Sequence, residues 1–283
     1  MRTVCVVTGG AGGMGAACAR TLAVEVDVVL LTDLDEARLG PVAERIESET
    51  TAMVCTLAGD LSQPDFVGKL AAHAQALGRL HSLVHTAGLS PSMASWRDIL
   101  RVDLVATARL LDAFLTSAAP GSVAVCLASL AGHLGPFEQG MDALLDRPFD
   151  ADLESRFQAL VGAEPDPGNT YRLAKRGVMR LCERAAVSWG ANGGRVVTVS
   201  PGLIDTAMGR LELQNNPIKR WMAELTPVGN GRSGLDTLLP GLTGDIADVV
   251  AFLCSDKASF VSGCDVRVDG GLTAAMNCQS DHR

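Results

Sequence analysis

Short apolar runs alternate along this chain with stretches whose apolar residues recur every three to four positions. The runs fall at residues 3–7, 26–32, 52–57, 82–85, 122–128, 195–200 and 265–268. Most of them carry apolar residues on consecutive rather than alternate positions, which predicts strands buried on both faces. Helical spacing falls between them, at 14–24, 35–49, 63–77, 95–118, 169–189 and 245–255. This βαβα rhythm predicts an α/β fold, a doubly wound parallel sheet of seven strands with helices on both faces. There is no solenoid-length repeat and no shift of composition, so residues 1–283 are expected to form a single domain. Ligands of such sheets bind beyond the carboxyl ends of the strands. The residues just after each run are therefore where chemistry is expected.

Composition fits that picture. Apolar residues make up 47% and aromatic ones 4% of the chain, so Val, Leu and Ala must build the core. A net charge of −8 gives no electrostatic footprint for nucleic acid or an anionic membrane surface. The opening run is too short for a signal-peptide core, and no run approaches the roughly 18 apolar residues of a membrane span. The eight cysteines form no C-x-x-C pair, and most lie inside apolar runs. They read as buried thiols of a cytoplasmic protein, with neither a metal site nor a disulfide framework expected.

The first run leads into Thr8-Gly9-Gly10-Ala11-Gly12-Gly13-Met14-Gly15, which opens the first helical stretch. Glycines there let the backbone turn tightly and approach a pyrophosphate at a helix N-terminus, so the unit reads as a Rossmann-type dinucleotide site. Asp33 ends the second run. An acid there accepts hydrogen bonds from ribose hydroxyls and repels a 2′-phosphate, which favours NAD over NADP. Arg38, one turn into the next helix, weakens that preference a little.

Tyr171 and Lys175 stand four residues apart in a helical stretch, on one face. A phenol with its ordinary pKa of about 10 is a poor acid or base at neutral pH. A neighbouring ammonium lowers it, and the pair becomes a proton-transfer device for an alcohol or carbonyl.

The glycine spacing, with Tyr171 and Lys175, resembles the short-chain dehydrogenase/reductase family. Asp60-Leu61 is similar to its adenine-contacting pair, and His85-Thr86-Ala87-Gly88 stands in place of its Asn-Asn-Ala-Gly motif. Ser129 ends the fifth run, where the catalytic Ser belongs. Pro201-Gly202-Leu203-Ile204-Asp205-Thr206 and Val268-Asp269-Gly270-Gly271 complete a match that runs in order through nearly the whole chain. The resemblance implies hydride transfer between nicotinamide C4 and a carbonyl or carbinol carbon. Tyr171 would move the proton on the substrate oxygen, Ser129 would hold that oxygen, and Lys175 would lower the Tyr171 pKa and bind the nicotinamide ribose. Gly9, Gly13, Met14, Gly15, Asp33, Asp60, Leu61, Ala87 and Gly88 would seat the rest of the cofactor. Pro201, Gly202, Ile204 and Thr206 would seat the nicotinamide. A homodimer or homotetramer is expected.

Three positions depart from the family pattern. Asp103 replaces an Asn that ordinarily bonds backbone and holds a water beside the catalytic Lys. A carboxylate also accepts from water and helps to retain charge on Lys175, but it cannot donate as an amide does. His85 replaces the first Asn of its motif and is expected to satisfy local backbone rather than act as a base. Ser129 and Tyr171 stand 42 positions apart, far more than in typical members. The excess, 132–168, carries helical spacing at 141–145 and 153–161 and reads as an inserted helical hairpin. Such an insertion resembles the subgroup of bacterial 3α-hydroxysteroid dehydrogenase/carbonyl reductases, in which it covers the usual pairing helices.

Residues 207–244 are expected to form a substrate lid. Met208, Leu211, Leu213, Ile218, Trp221, Met222 and Leu225 fit an apolar stripe closing on an apolar substrate, and the glycine-rich 230–244 reads as mobile. The substrate expected is a bulky secondary alcohol or ketone, such as a hydroxysteroid. Cyclic, terpenoid or dihydrodiol-type alcohols are the alternatives within the class, and an NAD-binding scaffold without activity lies outside it.

Overall fold

The computed structural model describes residues 1–229 and 239–280. Seven strands form one sheet: β1 (Thr3–Thr8), β2 (Val28–Thr32), β3 (Met53–Thr56), β4 (Arg79–His85), β5 (Val123–Leu127), β6 (Arg195–Pro201) and β7 (Asp265–Val268). All pairings are parallel, in the order β3-β2-β1-β4-β5-β6-β7. The expected strands are all present, with ends displaced by up to three residues. The strand order reverses between β1 and β4. There the register sets Thr8 opposite both Thr32 and His85, so three carboxyl ends finish level. That crevice is where such a sheet takes a ligand.

The consecutive apolar residues of each strand split between two cores. Cys5, Val7, Leu31, Val84, Val125 and Val197 face α1 (Gly13–Leu22), α2 (Glu36–Glu49) and α11 (Thr243–Cys254). Val4, Val6, Leu30, Leu83, Ala124 and Val196 face α3 (Pro64–Leu77), α5 (Ala106–Phe114) and α8 (Pro167–Ala191). Each fully buried Val or Leu contributes roughly 1.5–3 kcal/mol, which fixes strand positions and therefore the level of their ends.

The stretch expected as one helix over 95–118 is interrupted. It runs as α4 (Trp96–Ile99), a π-helical turn (Leu100–Val105), α5 and a final 3-10 turn (Leu115–Ser117). The Thr107 hydroxyl bonds back to the Asp103 carbonyl at 2.7 Å, at the end of the π turn. A π turn inserts one residue into the helix and rotates the turns beyond it; apolar spacing alone does not reveal it.

The insertion holds two helices at the expected residues, α6 (Met141–Leu145) and α7 (Leu153–Val161). Met141, Leu144, Leu145, Leu153 and Phe157 form a third core with Trp96, Ile99, Leu100, Leu104 and Leu173. Phe157 stacks on Trp96 with ring centroids 6.0 Å apart.

The expected lid stripe needs correction. The segment divides into α9 (Ala207–Asn215) and α10 (Pro217–Leu225), because Asn216 caps α10 by accepting from the Ile218 N–H at 3.0 Å and Pro217 opens it. The break resets the periodicity. Met222 is buried, whereas Ile218 and Trp221 are 60% and 42% exposed. In 239–244, Gly241 is bridged to Ile204 and α11 begins at Thr243; residues 230–238 of the segment expected to be mobile lie outside the described residues. No described helix is long and apolar enough to cross a membrane. The chain ends its described part in α12 (Leu272–Ser280).

Candidate active site

A cleft of about 560 Å³ opens above the carboxyl ends of β1, β2 and β4. Its wall includes Gly9, Gly13, Met14, Gly15, Asp33, Asp60, Leu61, Ala87, Gly88 and Thr206, all expected to bind cofactor. Gly9 has φ +67°, and a Cβ there would come within 2.7 Å of the Ala87 nitrogen. Glycine is thus required where the loops after β1 and β4 touch. No side chain caps α1, so its first-turn N–H groups are available to an anion in the cleft.

Asp33 Oδ2 accepts from the Ala11 N–H at 3.1 Å and Oδ1 from the Leu34 N–H at 2.8 Å, tying the glycine loop to the end of β2. Asp60 accepts from the Ser62 N–H and hydroxyl, each at 2.8 Å. Burial pushes its carboxyl up, but the bonds from Ser62 and Gln63 outweigh burial and leave it below the ordinary value. The cleft, its uncapped helix end and the Asp33 carboxylate on its wall fit a dinucleotide. Gly202 and Ile204 lie instead on a separate cavity of about 240 Å³, shared with Thr226, Asp245 and Asp269. Pro201 is the last residue of β6.

Ser129, Tyr171, Lys175 and Asp103 come together deeper in the structure, although they arise from four places in the chain. Ser129 caps the 3-10 turn Leu130–His133, its Oγ accepting from the Ala131 N–H at 3.2 Å. Its hydroxyl lies near the Tyr171 phenol and favours the phenolate. That turn is anchored from behind, where His133 Nε2 lies 2.8 Å from Asp265 Oδ2 and the Ser200 hydroxyl donates to Asp265 Oδ1 at 2.8 Å.

Lys175 Nζ lies 5.5 Å from the Tyr171 ring centroid, donates to the Leu127 carbonyl at 3.3 Å and stands 3.3 Å from Asp103 Oδ2. The Lys175 and Asp103 side chains are 7% and 0% exposed, so this is a buried ion pair. Asp103 Oδ1 accepts from the Leu89 N–H at 2.8 Å, which places the carboxylate on backbone as expected. Gly88 closes the arrangement, since a Cβ there would lie 3.1 Å from Lys175 Nζ and 3.3 Å from Asp103 Oδ1. The pair thus sits directly behind the cleft wall.

The electrostatics differ from the expectation for Tyr171. Burial raises its phenol above the ordinary value; Lys175 and the Ser129 hydroxyl lower it, while Asp103 and Glu212 add to the rise. The ammonium acts in the expected direction and does not prevail. For Lys175, burial favours the neutral amine, but the Asp103 carboxylate and Tyr171 outweigh it and the ammonium is held above its ordinary range. Burial pushes the Asp103 carboxyl up despite Lys175 and the Leu89 N–H.

His85 has a structural place. The Thr107 hydroxyl spends its proton on the Asp103 carbonyl, so at 2.9 Å it accepts from His85 Nε2. Nδ1 then accepts from the Thr8 hydroxyl at 2.7 Å. Burial, aided by Lys175, pushes the imidazole down to about 3, so the ring is neutral and links β1 to the start of α5.

Sequence reasoning passes over Glu212. It lies on α9, accepts from the Ser92 N–H at 3.0 Å and acts electrostatically on Tyr171. The lid stands out in the sequence by its apolar and basic positions, and an acid on a half-exposed helix carries no pattern that marks it.

Comparison with known proteins bears on the family. A family model described as short chain dehydrogenase matches residues 3–141, and one described as enoyl-(acyl carrier protein) reductase matches 157–273. The stretch between them lies inside the insertion. The chain is 31% identical to a short-chain dehydrogenase/reductase of Alternaria brassicicola, over 95% of both chains. It is 31% identical to the cis-4-hydroxycyclohexanecarboxylate dehydrogenase of Sinomonas cyclohexanicum, over 96% of both. It is 26% identical to the 3-alpha-hydroxysteroid dehydrogenase/carbonyl reductase of Comamonas testosteroni, over 97% of this chain and 98% of that one. In fold it is similar to a solved short-chain type dehydrogenase/reductase from Mycobacterium ulcerans, with a TM-score of 0.74, 24% identity and coverage of 96% and 90%. A chain that joins this cleft to a Ser, Tyr and Lys cluster, and matches these relatives end to end, belongs to the short-chain dehydrogenase/reductase family, oxidoreductases of alcohols and ketones that use a nicotinamide cofactor.

Proposed function

We propose that the protein is an NAD-dependent oxidoreductase that interconverts a bulky, largely apolar secondary alcohol and its ketone. The observation that carries this reading is the grouping of half-buried Ser129 and Tyr171 with buried Lys175 beside the cleft wall. Bound nicotinamide supplies the hydride acceptor or donor at C4. Tyr171 gives or takes the proton on the substrate oxygen, and Ser129 orients that oxygen by a hydrogen bond. Lys175 stays charged beside Tyr171 and presents its ammonium toward the cleft. Gly9, Gly13, Met14 and Gly15 hold the pyrophosphate, Asp60 and Leu61 the adenine, and Thr206, on the same cleft, the nicotinamide end.

Asp33 supports NAD, because its carboxylate is fixed on the cleft wall by two backbone N–H groups where a 2′-phosphate would be repelled. Arg38 shares that wall but reaches toward the Ala11 carbonyl, 3.4 Å away. The names of two relatives, a hydroxycyclohexanecarboxylate and a hydroxysteroid dehydrogenase, favour a ring-bearing alcohol. Helices α9 and α10 act as the lid, and the whole chain works as one domain within a cytoplasmic homo-oligomer. The test is a panel of steroid, cyclohexyl, terpenoid and aromatic alcohols with NAD and NADP, read as reduced nicotinamide. NAD is expected to exceed NADP by at least about tenfold in kcat/KM, the equivalent of roughly 1.4 kcal/mol. Equal rates with both would overturn the role given to Asp33, and no turnover across the panel would overturn the enzyme reading.

A further inference from the structure

A buried ion pair contributes little net stability, because the cost of desolvating two charges cancels most of their attraction. The pairing of Asp103 with Lys175 therefore calls for another explanation, and its place in the fold supplies one. The Lys175 ammonium lies 5.5 Å from the Tyr171 ring centroid and 3.3 Å from an oxygen of the Asp103 carboxylate. The carboxylate is held from the far side by the Leu89 N–H, on the loop that forms the cleft wall. Lys175 is the cation that acts on Tyr171, and Asp103 sits in direct contact with it.

We propose that Asp103 is a positioning residue acting through Lys175: its carboxylate offsets the ammonium, so that the free enzyme holds Tyr171 in its protonated, proton-donating form. This rests on the reading of Tyr171 as the acid–base group and adds a direction to it. The enzyme at rest is armed for ketone reduction at neutral pH, and alcohol oxidation gains as pH rises.

The groups that act on Tyr171 support this. On its own helix Lys175 favours the phenolate. From the π turn Asp103 opposes it, and from α9 Glu212 opposes it as well. Ser129, after β5, offers a neutral hydroxyl, and His85 on β4 is neutral. Two carboxylates thus oppose the phenolate against one ammonium that favours it, in a site where burial already disfavours a phenolate. Removing one fixed negative charge lowers the first proton loss of the coupled Tyr171–Lys175 pair, whichever of the two carries it.

The chain contains a single tyrosine. The absorbance change that marks phenolate formation therefore reports on Tyr171 alone and needs no substrate. Wild type, Asp103→Asn and Asp103→Ser are titrated with base, with the fluorescence of the three tryptophans confirming that each remains folded. Both neutral variants are expected to titrate about one pH unit below wild type. The rising limb of alcohol oxidation against pH should move down by the same amount, read at pH values where the fold is safe. A midpoint and a limb that stay in place or move up in the two variants would overturn the proposal. Retained turnover in Tyr171→Phe would instead remove the functional reading and leave the titration result standing, so the two failures are distinguishable.

Discussion

One helix, α8, makes two sets of Asp contacts in opposite directions. Inward, Lys175 meets Asp103 with both side chains shut off from solvent. Outward, the next residue, Arg176, begins a lattice in which Arg176, Arg180 and Arg184 hold Asp142 and Asp146 of the insertion. The lattice has the better geometry: Arg180 grips Asp146 with two nitrogens at 2.8 and 2.7 Å. It is also wetter, with Arg176 and Arg180 about a quarter exposed and Asp142 36% exposed. The two regions share a chemistry and differ in surroundings. Outside, charge fastens an added segment to the surface of the fold. Inside, the low dielectric strengthens a single pair that stands beside Tyr171, which is where the proposed control over its proton rests.

Lys175→Met should break this contrast most severely. It leaves Asp103 buried without a partner, which costs about 3–5 kcal/mol in denaturant unfolding, and turnover should fall by at least about a hundredfold. A loss near 1 kcal/mol would mean that the inner pair behaves like a surface one. Next in size is the pH response. Because Tyr171 is raised above its ordinary value, alcohol oxidation should climb about tenfold per pH unit from neutral upward, as the phenolate fraction does. A rate that is flat from neutral to alkaline pH would contradict the raised phenol.

The outer lattice should give smaller effects. Arg180→Ala is expected to cost about 1 kcal/mol at low ionic strength and less at high salt, where exposed charges are screened. Asp142 sharpens the comparison by its sign. Hydrogen bonds from Arg176 hold its carboxyl below the ordinary value despite some burial, so its stabilisation is present above about pH 4 and drains as pH falls below that. Acid should therefore loosen the insertion first, read as protease cutting within 132–168 before the sheet unfolds. Smallest of all is Glu154→Gln, which removes a half-exposed partner of Arg97 and Arg101 and should stay within about 0.5 kcal/mol of wild type.

How much of this is legible in the sequence depends on whether a feature repeats. The strands are, because buried parallel strands impose consecutive Val and Leu, and the insertion helices are, because 141–145 and 153–161 keep helical spacing. The site residues are legible as types at family spacings, including the Asp103 substitution. The contact it makes is not. The π turn that carries Asp103 inserts one residue without altering apolar character, and nothing in the spacing says that the carboxylate meets Lys175 directly. The net effect on Tyr171 escapes for the same reason: proximity of an ammonium can be read from Tyr171 and Lys175, whereas burial and a second charge from the π turn cannot. The lid expectation fails where Asn216-Pro217 restarts the helix, a break the sequence does contain and the apolar stripe obscures.

The central claim is that Tyr171 moves the proton in a site whose cofactor cleft stands on its own. It is tested most directly by comparing wild type with Tyr171→Phe for turnover of a secondary alcohol that the enzyme accepts, alongside NADH binding measured by its fluorescence. Binding should be retained and turnover should fall by about a hundredfold or more. Turnover at the wild-type rate with binding unchanged would contradict the account.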